Sequence, residues 1–437
     1  MSHSPDAQAM RPPDVVIEIV QKLTDAGFET WCVGGAVRDA LLGIRNQDWD
    51  VATDADPERV RKIFRNVIPL GIKFGTVGVV DKHGVMHEVT TFRRDVTHDG
   101  RHAVVEFGAS FLEDLKRRDF TINAIAYDVI ENRLYDPFDG RKDLAAELVR
   151  AVGVPIERFI EDRLRVLRGI RFAARFGFRI EPLTWNAMVE SGPHLGRLSA
   201  ERVKQELDKT LEQAVRPSEA FLLWQKTGAF KSVLPALANT EKNTLKAVDK
   251  HTRPRSAMTA ARRQLRRQMR MITLFSDCSP KETATALKAL RSPNAESAFA
   301  CSIIERWHQL GSKVVHATVS GATISDGVLR TWAAEIGRTR VRAFSRLVWS
   351  RTGDAGQISL RQLYRRLLKI ALTDPIEVAD LAIDGDDLRM IGIPVGKAYG
   401  PIFAKLLAIV VEDPAQNTRA NLLKVGEQIY RGMQDRS

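Results

Sequence analysis

The chain has 437 residues, with 66 lysines and arginines against 54 aspartates and glutamates, a formal charge of +12, and 44% apolar residues. That length and apolar share exclude a disordered, collagen-like or disulfide-stapled chain and leave room for about two to four domains. The three cysteines, Cys32, Cys278 and Cys301, are scattered and odd in number, so reduced thiols in a cytoplasm are expected, not a disulfide framework or a cysteine-rich zinc site. The opening MSHSPDAQAMRPPD lacks an apolar core, and no run reaches the roughly 18 apolar residues of a membrane span. Neither a secretory signal nor a membrane association is expected. The basic excess admits nucleic acid, an anionic surface or an acidic substrate, and decides nothing alone.

In chain order, Val15–Ala26 has helical apolar spacing and Gly27 suits its C-cap. Thr30–Val33 reads as a strand that runs into Gly34-Gly35, and Ala36–Leu42 as a helix stopped at Gly43. Asp50–Thr53 reads as a strand and Pro57–Phe64 as a helix. Thr76–Asp81 and Met86–Phe92 alternate at period two about Lys82-His83-Gly84, a hairpin signal. A second hairpin is expected from Ala124–Ile130 to Arg133–Tyr135, turning at Glu131-Asn132. From Pro155 onward strand signals nearly vanish. Helical stretches follow, among them Phe159–Phe176, Ser199–Ala214, Ala257–Phe275 and Leu360–Leu372, separated by Pro-containing breakers. The layout is α+β: a head with a small mixed sheet, then an elongated helical remainder. A basic run from Lys242 to Arg270 reads either as a solvated helix face or as a stripe for a phosphate backbone.

The stretch most informative about chemistry is Cys32–Thr53, CVGGAVRDALLGIRNQDWDVAT. Two glycines after a strand let backbone N–H groups approach a ligand with no Cβ in the way. The helix that follows offers orphan donors and a positive dipole, which suit a triphosphate, and Arg38 adds a bidentate cation. Asp48 and Asp50, one residue apart at the mouth of a strand, point to one side. They can hold Mg2+ between themselves and nucleotide phosphates, as two-metal phosphoryl transfer requires.

Together these features resemble the nucleotidyltransferase head of the polymerase-β superfamily. In that superfamily a third carboxylate sits on a neighbouring strand, and Glu88 in MHEVTTFR is the candidate. Four further segments, KRRDFTINA (from Lys116), YDPFDGRKDL (from Tyr135), EDRLRVLRGIRFAARFGF (from Glu161) and LSAERVKQEL (from Leu198), resemble in order and spacing the motifs of the class II tRNA nucleotidyltransferases and bacterial poly(A) polymerases. The resemblance is strong over the first half and weaker beyond, where Ile383–Tyr399 and Asn417–Leu423 look like the family's tail. It implies a polymerase-β-like head over residues 1–150, a helical neck over 151–230, a body over 231–372 and an RNA-binding tail over 373–437.

The resemblance makes Glu161–Arg165 (EDRLR) the base-reading element. Cytosine and adenine both show an amino donor beside a ring acceptor, so Asp162 can accept from the amine while Arg165 donates to the ring nitrogen. Guanine and uracil present the reverse pattern and would leave both side chains unpaired. On one continuous helix these two residues are neighbours, and Arg168 and Arg171 continue the row toward the nucleotide. By the same resemblance Gly34, Gly35, Arg38 and Arg118 contact the nucleotide. Asp119 and Asn123 serve ribose binding or local structure, Asp136 and Asp139 shape the head-to-neck junction, and Glu201 with Arg202 forms a bracing ion pair.

The implied activity is addition of C, C and A to tRNA 3′ ends from CTP and ATP, with tRNA gripped by its acceptor and T arms. A-only or CC-only addition and poly(A) synthesis share the motifs. Leu70–Val79 (LGIKFGTVGV) resembles tRNA-type enzymes, and Asp95–Arg101 occupies the position of the family's flexible loop at full length. His98-Asp99 is the one His-Asp dipeptide, so no second metal site and no phosphohydrolase activity are expected, nor any stable protein partner. A catalytically silent RNA-binding relative is disfavoured by the intact Arg38, Asp48, Asp50 and EDRLR set, and a P-loop by the absence of GxxxxGK[ST].

Overall fold

The computed structural model describes residues 10–44, 48–98, 103–251, 259–321, 323–352 and 357–434. The chain divides into two compact units, residues 1–239 and 240–437.

In the first unit the elements are α1 (Asp14–Asp25), β1 (Thr30–Val33), α2 (Gly35–Leu41), β2 (Asp50–Thr53), α3 (Pro57–Ile63), β3 (Val67–Gly71), β4 (Thr76–Val80), β5 (Met86–Thr91), β6 (Arg93–His98), β7 (Ala103–Phe107), α4 (Phe111–Lys116), β8 (Ala126–Asp128), β9 (Arg133–Tyr135), α5 (Gly140–Ala145) and β10 (Leu148–Val149). Then follow α6 (Pro155–Glu161), α7 (Leu164–Phe176), β11 (Arg179–Ile180), α8 (Pro182–Ser191), α9 (Ala200–Gln213), α10 (Pro217–Lys226) and α11 (Ala229–Val233). Seven strands form one mixed sheet in the order β3-β4-β5-β2-β1-β8-β9.

Two pairings in that sheet position the chemistry. Antiparallel β1 and β2 set Val33, the residue before Gly34, opposite Asp50. Parallel β2 and β5 set Val51 opposite Val89, so one step earlier Asp50 stands beside Glu88. The sheet packs through Trp31, Val33, Ala52, Phe92 and Ala126 onto Phe111 and Leu115 of α4, and Trp31 and Phe111 stack with centroids 4.8 Å apart. Helix α4 is capped by Ser110 and Glu113 in a reciprocal box, the Ser-x-x-Glu signature of a helix start.

The expected hairpins are β4–β5 and β8–β9, the second turning through Asn132 at φ 49. Edge strand β3 escaped the sequence reading because its Val-Ile-Pro-Leu-Gly run is mostly exposed and does not alternate. The segment compared with the flexible loop runs through β6, paired antiparallel with β7, while Asp99 to His102 lie outside the described residues. The continuous helix expected over Phe159–Phe176 is interrupted. Helix α6 ends at Glu161, Asp162 is extended (φ −144, ψ 102), and α7 starts at Leu164. The cause is local: the Asp162 carboxylate accepts the backbone N–H of Leu164 at 3.1 Å and ties off the chain before the second helix.

Helix α7 lies close against the head. A Cβ on Gly169 would meet Phe120 Cζ at 2.7 Å and Met188 Cε at 2.3 Å. Glycine inside a helix costs about 1 kcal/mol relative to alanine. The close approach it permits places Arg165 and Arg168, four and one residues before it, over the head.

The second unit is helical: α12 (Lys242–Asp249), α13 (Ala260–Leu274), α14 (Pro280–Ala289), α15 (Asn294–Ser320), α16 (Asp326–Ile336), α17 (Val341–Arg351), α18 (Gln357–Thr373), α19 (Gly385–Met390), α20 (Tyr399–Glu412) and α21 (Arg419–Gln434). One core joins α15 to α18 through Leu310, Trp332, Phe344 and Leu367. Another joins α19 to α21 through Leu388, Ile402, Leu406 and Leu422. Arg330 ties them by donating to the carbonyls of Val411 and Glu412 at the end of α20. Among the described residues no helix is long and apolar enough to cross a membrane.

The basic run divides by burial. Lys242, Lys246, Arg262 and Arg263 are exposed, Arg267 pairs with Glu296 at 2.7 Å, and Arg266 and Arg270 are buried. Arg270 donates to the carbonyl of His251 at 3.1 Å, and His251 Nε2 meets Thr273 Oγ1 at 2.8 Å. Among the described residues the run therefore forms no single surface stripe, because the helical period turns Arg266 and Arg270, four residues apart, toward the core.

Burial, then the nearby Arg270 and Arg346, push the His251 pKa down from 6.5 to about 3. A histidine kept neutral when folded binds its proton only on unfolding, so its contribution is present above pH 6.5 and is lost as pH falls toward about 3. A His251→Asn chain should show a flatter acid limb than the wild type when denaturant midpoints are followed from pH 7 to pH 4. Superimposable acid limbs would contradict this.

Candidate active site

The site begins at the end of β1. Gly34 has φ +77, the left-handed region that glycine tolerates, and a Cβ there would sit 3.2 Å from Arg118 Nη1 and 3.8 Å from Asp50 Oδ2. The turn thus brings the backbone against both charges before α2 begins at Gly35. A cleft of about 400 Å3 opens over it, lined by Gly34, Gly35, Arg38, Asp50, Arg118, Asp162, Arg165 and Arg168 of the expected residues. Arg117, Asp119, Asn123 and Phe172 complete the lining. The residues expected to meet phosphates and those expected to read the base therefore share one cavity, although Gly34 and Arg168 are far apart in sequence.

Asp50 is pushed up to about pKa 6 by burial, then by the negative charges of Glu88 and Asp48, against the pull of Arg118. A buried carboxylate whose proton affinity is raised by two neighbouring acids is suited to a cation, which relieves the repulsion. Among the described residues no three His, Cys, Asp or Glu side chains already stand close enough to hold a metal by themselves. Asp48 is exposed, Trp49 buried and Asp50 half-buried, the alternation of an extended segment that sends both carboxylates to one side.

Arginines dominate the other walls, each anchored. Arg38 is buried and bonds Asp39 Oδ1 through Nε at 2.9 Å and Nη2 at 2.6 Å, donates to Asn123, and lies over the Phe172 and Phe176 rings at 5.1 and 4.8 Å. Arg117 and Arg118 share Asp114 at 2.7 and 3.1 Å. Arg168 bonds Asp119 Oδ2 at 2.7 Å, and Asn123 donates to the other oxygen at 2.9 Å. Burial alone would raise the Asp119 carboxyl, yet Arg168 and Asn123 hold it down at about 2. Asp119 and Asn123 are thus the struts of Arg168 and Arg38, and the one reliable sign of them in the sequence was their place in KRRDFTINA.

The base-reading pair stands differently from the expectation. Asp162 and Arg165 are not neighbours on one helix: Asp162 lies in the break and Arg165 on α7. Asp162 Oδ2 accepts from Arg202 at 2.7 Å, so Arg202 braces the break from α9. Of the expected bracing pair Glu201–Arg202, Arg202 thus takes part in an ion pair whose acid is Asp162. Arg165 bonds Glu161 at 2.8 Å, the Arg158 carbonyl at 3.1 Å and the Arg117 carbonyl at 2.7 Å. A guanidinium has five N–H donors and a carboxylate four lone pairs, so neither side chain is exhausted.

Arg171 is the residue of the row that does not line the cleft. It is buried, bonds Glu206 at 2.6 Å and Gln213 at 3.2 Å, and packs on Phe172. At 3.6 residues per turn, six positions from Arg165 carry Arg171 well around α7 toward α9. Asp136 accepts from the backbone N–H groups of Gly140 and Arg141 at 2.7 and 2.9 Å and so starts α5. Asp139 takes φ 57 at that junction.

Residues 30–150 match the family described as the poly A polymerase head domain, and residues 177–240 match a probable RNA and SrmB-binding site of polymerase A. The head belongs to the poly(A) polymerase head-domain family. The CCA-adding enzyme of Leuconostoc mesenteroides subsp. mesenteroides is 47% identical over 195 residues, 44% of this chain and 48% of that protein. The CCA-adding enzyme of Geobacillus stearothermophilus is 43% identical over 236 residues, 53% of this chain and 57% of that protein. The chain spans about half the length of the curated relatives it matches. A crystal structure of the Bacillus stearothermophilus CCA-adding enzyme in complex with CTP superposes with TM-score 0.72 at 29% identity, covering 99% of this chain and 100% of that one. The Thermotoga maritima CCA-adding enzyme complexed with tRNA has the same fold, with TM-score 0.65 at 20% identity over 99% of each chain.

The Arg171–Glu206 pair makes a test of the packing of α7 on α9. Replacing Arg171 by Met leaves the buried Glu206 carboxylate with the more distant Lys209 at 3.8 Å, and breaking such a buried pair costs about 3–5 kcal/mol. The melting temperature of Arg171→Met should fall clearly. An unchanged melting temperature would contradict the structural placement.

Proposed function

We propose that the chain is a template-independent RNA nucleotidyltransferase that adds C, C and A to the 3′ end of tRNA from CTP and ATP. The observation that carries this reading is the shared cleft, which the Gly34-Gly35 turn and Asp50 line together with Asp162 and Arg165. The relatives named CCA-adding enzymes support it, and so does the fold shared with a CTP complex.

In this mechanism the turn and Arg38, Arg118 and Arg168 bind the triphosphate through backbone N–H groups and charged hydrogen bonds. Asp162 and Arg165 meet the Watson–Crick edge, and the 3′-hydroxyl of the RNA attacks the α-phosphate as pyrophosphate leaves. Asp48 and Asp50 would hold a divalent cation such as magnesium, and Glu88 adds negative charge beside Asp50. When bound, the metal supplies an acidified hydroxyl and neutralises developing charge on the phosphates. The RNA lies on cations such as Lys242, Lys246, Arg262 and Arg263, whose contacts to phosphate carry no base preference. This reading requires tRNA lacking its CCA end to gain C, C and A, and no other nucleotide, from the wild-type chain with magnesium. Addition of A alone, C alone or a long A tract would assign one of the narrower or related activities.

Asp48→Ala should abolish incorporation while leaving tRNA retention on a filter nearly unchanged; substantial turnover would overturn the metal assignment. Asp50 must be ionised to hold a cation, and its pKa near 6 makes cation affinity weaken as pH falls through about 6.

Nucleotide choice tests the other wall. Each charged hydrogen bond lost is worth about 1.5–3 kcal/mol, or roughly ten- to a hundredfold in discrimination. Arg165→Ala should therefore admit UTP or GTP relative to CTP and ATP, measured with each triphosphate singly on primers ending before CCA and in CC. A uniform loss of rate with the ranking intact would assign Arg165 to bracing alone.

A further inference from the structure

The two halves of the cleft sit on different elements. Its phosphate half is the Gly34-Gly35 turn with Arg38 on α2, and its base-reading half is Asp162 with α7, which carries Arg165 and Arg168. One carboxylate bridges these elements. Asp39 of α2 is buried; its Oδ1 takes both bonds from Arg38, and its Oδ2 accepts from Arg175 Nη2 of α7 at 2.9 Å across 136 residues of sequence. Neither Asp39 nor Arg175 is among the residues that line the cleft. Arg38 already neutralises Asp39, so Arg175 is not needed to balance a buried charge. The Arg175 side chain is 23% exposed and would be solvated well enough without the pair. It is nevertheless flattened on the Phe176 ring at 4.7 Å, the ring that also carries Arg38 at 4.8 Å. The two arginines and the carboxylate between them thus form a clasp from α2 to α7, seated on one aromatic side chain.

We infer that Asp39 and Arg175 are positioning residues whose ion pair fixes the phosphate half of the cleft against its base-reading half. This rests on the proposed reading of the cleft as a nucleoside triphosphate site. The physical consequence is specific. A ligand that engages only one half does not sense the spacing between halves. A ligand that spans both gains from having them held at the right separation, because the ordering cost is met before binding. Loosening the clasp should weaken the whole nucleotide and spare its parts. A residue that merely stabilised the fold would weaken all three ligands together, or none.

The test measures binding of CTP, inorganic tripolyphosphate and cytidine to the full chain in magnesium buffer. It compares the wild type with Arg175→Met, which keeps the stem packed on Phe176, and with Arg175→Lys, which keeps the charge. Arg175→Met should weaken CTP by about tenfold and change tripolyphosphate and cytidine by less than about twofold, with Arg175→Lys between. Asp39→Asn also removes the acid that anchors Arg38, so it should weaken tripolyphosphate as well as CTP, while adding Arg175→Met to it should weaken CTP no further, as for two residues acting through one contact. Parallel weakening of all three ligands, or unchanged CTP binding in Arg175→Met, overturns the clasp. If the wild type binds tripolyphosphate but gains nothing from the cytidine moiety of CTP, the cleft itself has been misread. If wild-type CTP binding is intact and indifferent to Arg175, only the clasp falls.

Discussion

Guanidinium groups crowd the cleft of the first unit, and their mutual repulsion is the constraint to which the surrounding structure answers. Arg38, Arg117, Arg118, Arg165 and Arg168 all line it. Burying a cation is expensive unless a carboxylate meets it, so each has one: Asp39, Asp114, Asp119 and Glu161 supply the bonds at 2.6–3.1 Å. Asp39, Asp114 and Asp119 are buried in turn, and the elements that carry them could not move apart without stranding charge. This fixes α2, α4 and the break before α7 around one cavity. Positive potential is left over where a triphosphate would lie.

The same logic separates the acids by task. Asp119 is held well into the ionised range by Arg168, whereas Asp50 is lifted toward neutral pH by burial and by its acidic neighbours. One carboxylate is spent on structure, the other is poised for a cation. Their sequence contexts, Arg-Asp-Phe and Trp-Asp-Val, give no hint of the difference. It arises from the sheet, where β5 sets Glu88 beside Asp50, and from α7, which delivers Arg168 to Asp119.

Glycine does comparable work at two points. Gly34 admits the chain between Asp50 and Arg118, and Gly169 lets α7 settle against Phe120 and Met188. Any side chain at the first position would meet charged groups under a left-handed backbone. At the second it would push Arg165 and Arg168 away from the head.

Much of this was legible in the chain itself. Alternating and helical periods are local properties, so the strand into Gly34-Gly35, the two hairpins and the helical character beyond Pro155 could be read directly. The Gly-Gly, Arg38 and Asp48-x-Asp50 order sufficed to mark the phosphate half, because its residues are close in sequence. Edge strand β3 was not legible, since an exposed strand keeps no alternation. The break at Asp162 was not either, because a side chain bonding the backbone two residues on competes with the helix in a way that apolar spacing does not record. Arg171 followed its neighbours at spacing three and was read as facing the cleft. Only the packing of α7 on α9 shows that Glu206 takes it instead. What the sequence determined was therefore the inventory and the local periods. What tertiary structure decided was the pairing of each arginine with its acid, since charges that meet across 49 or 136 residues are matched by packing and leave no trace in local order.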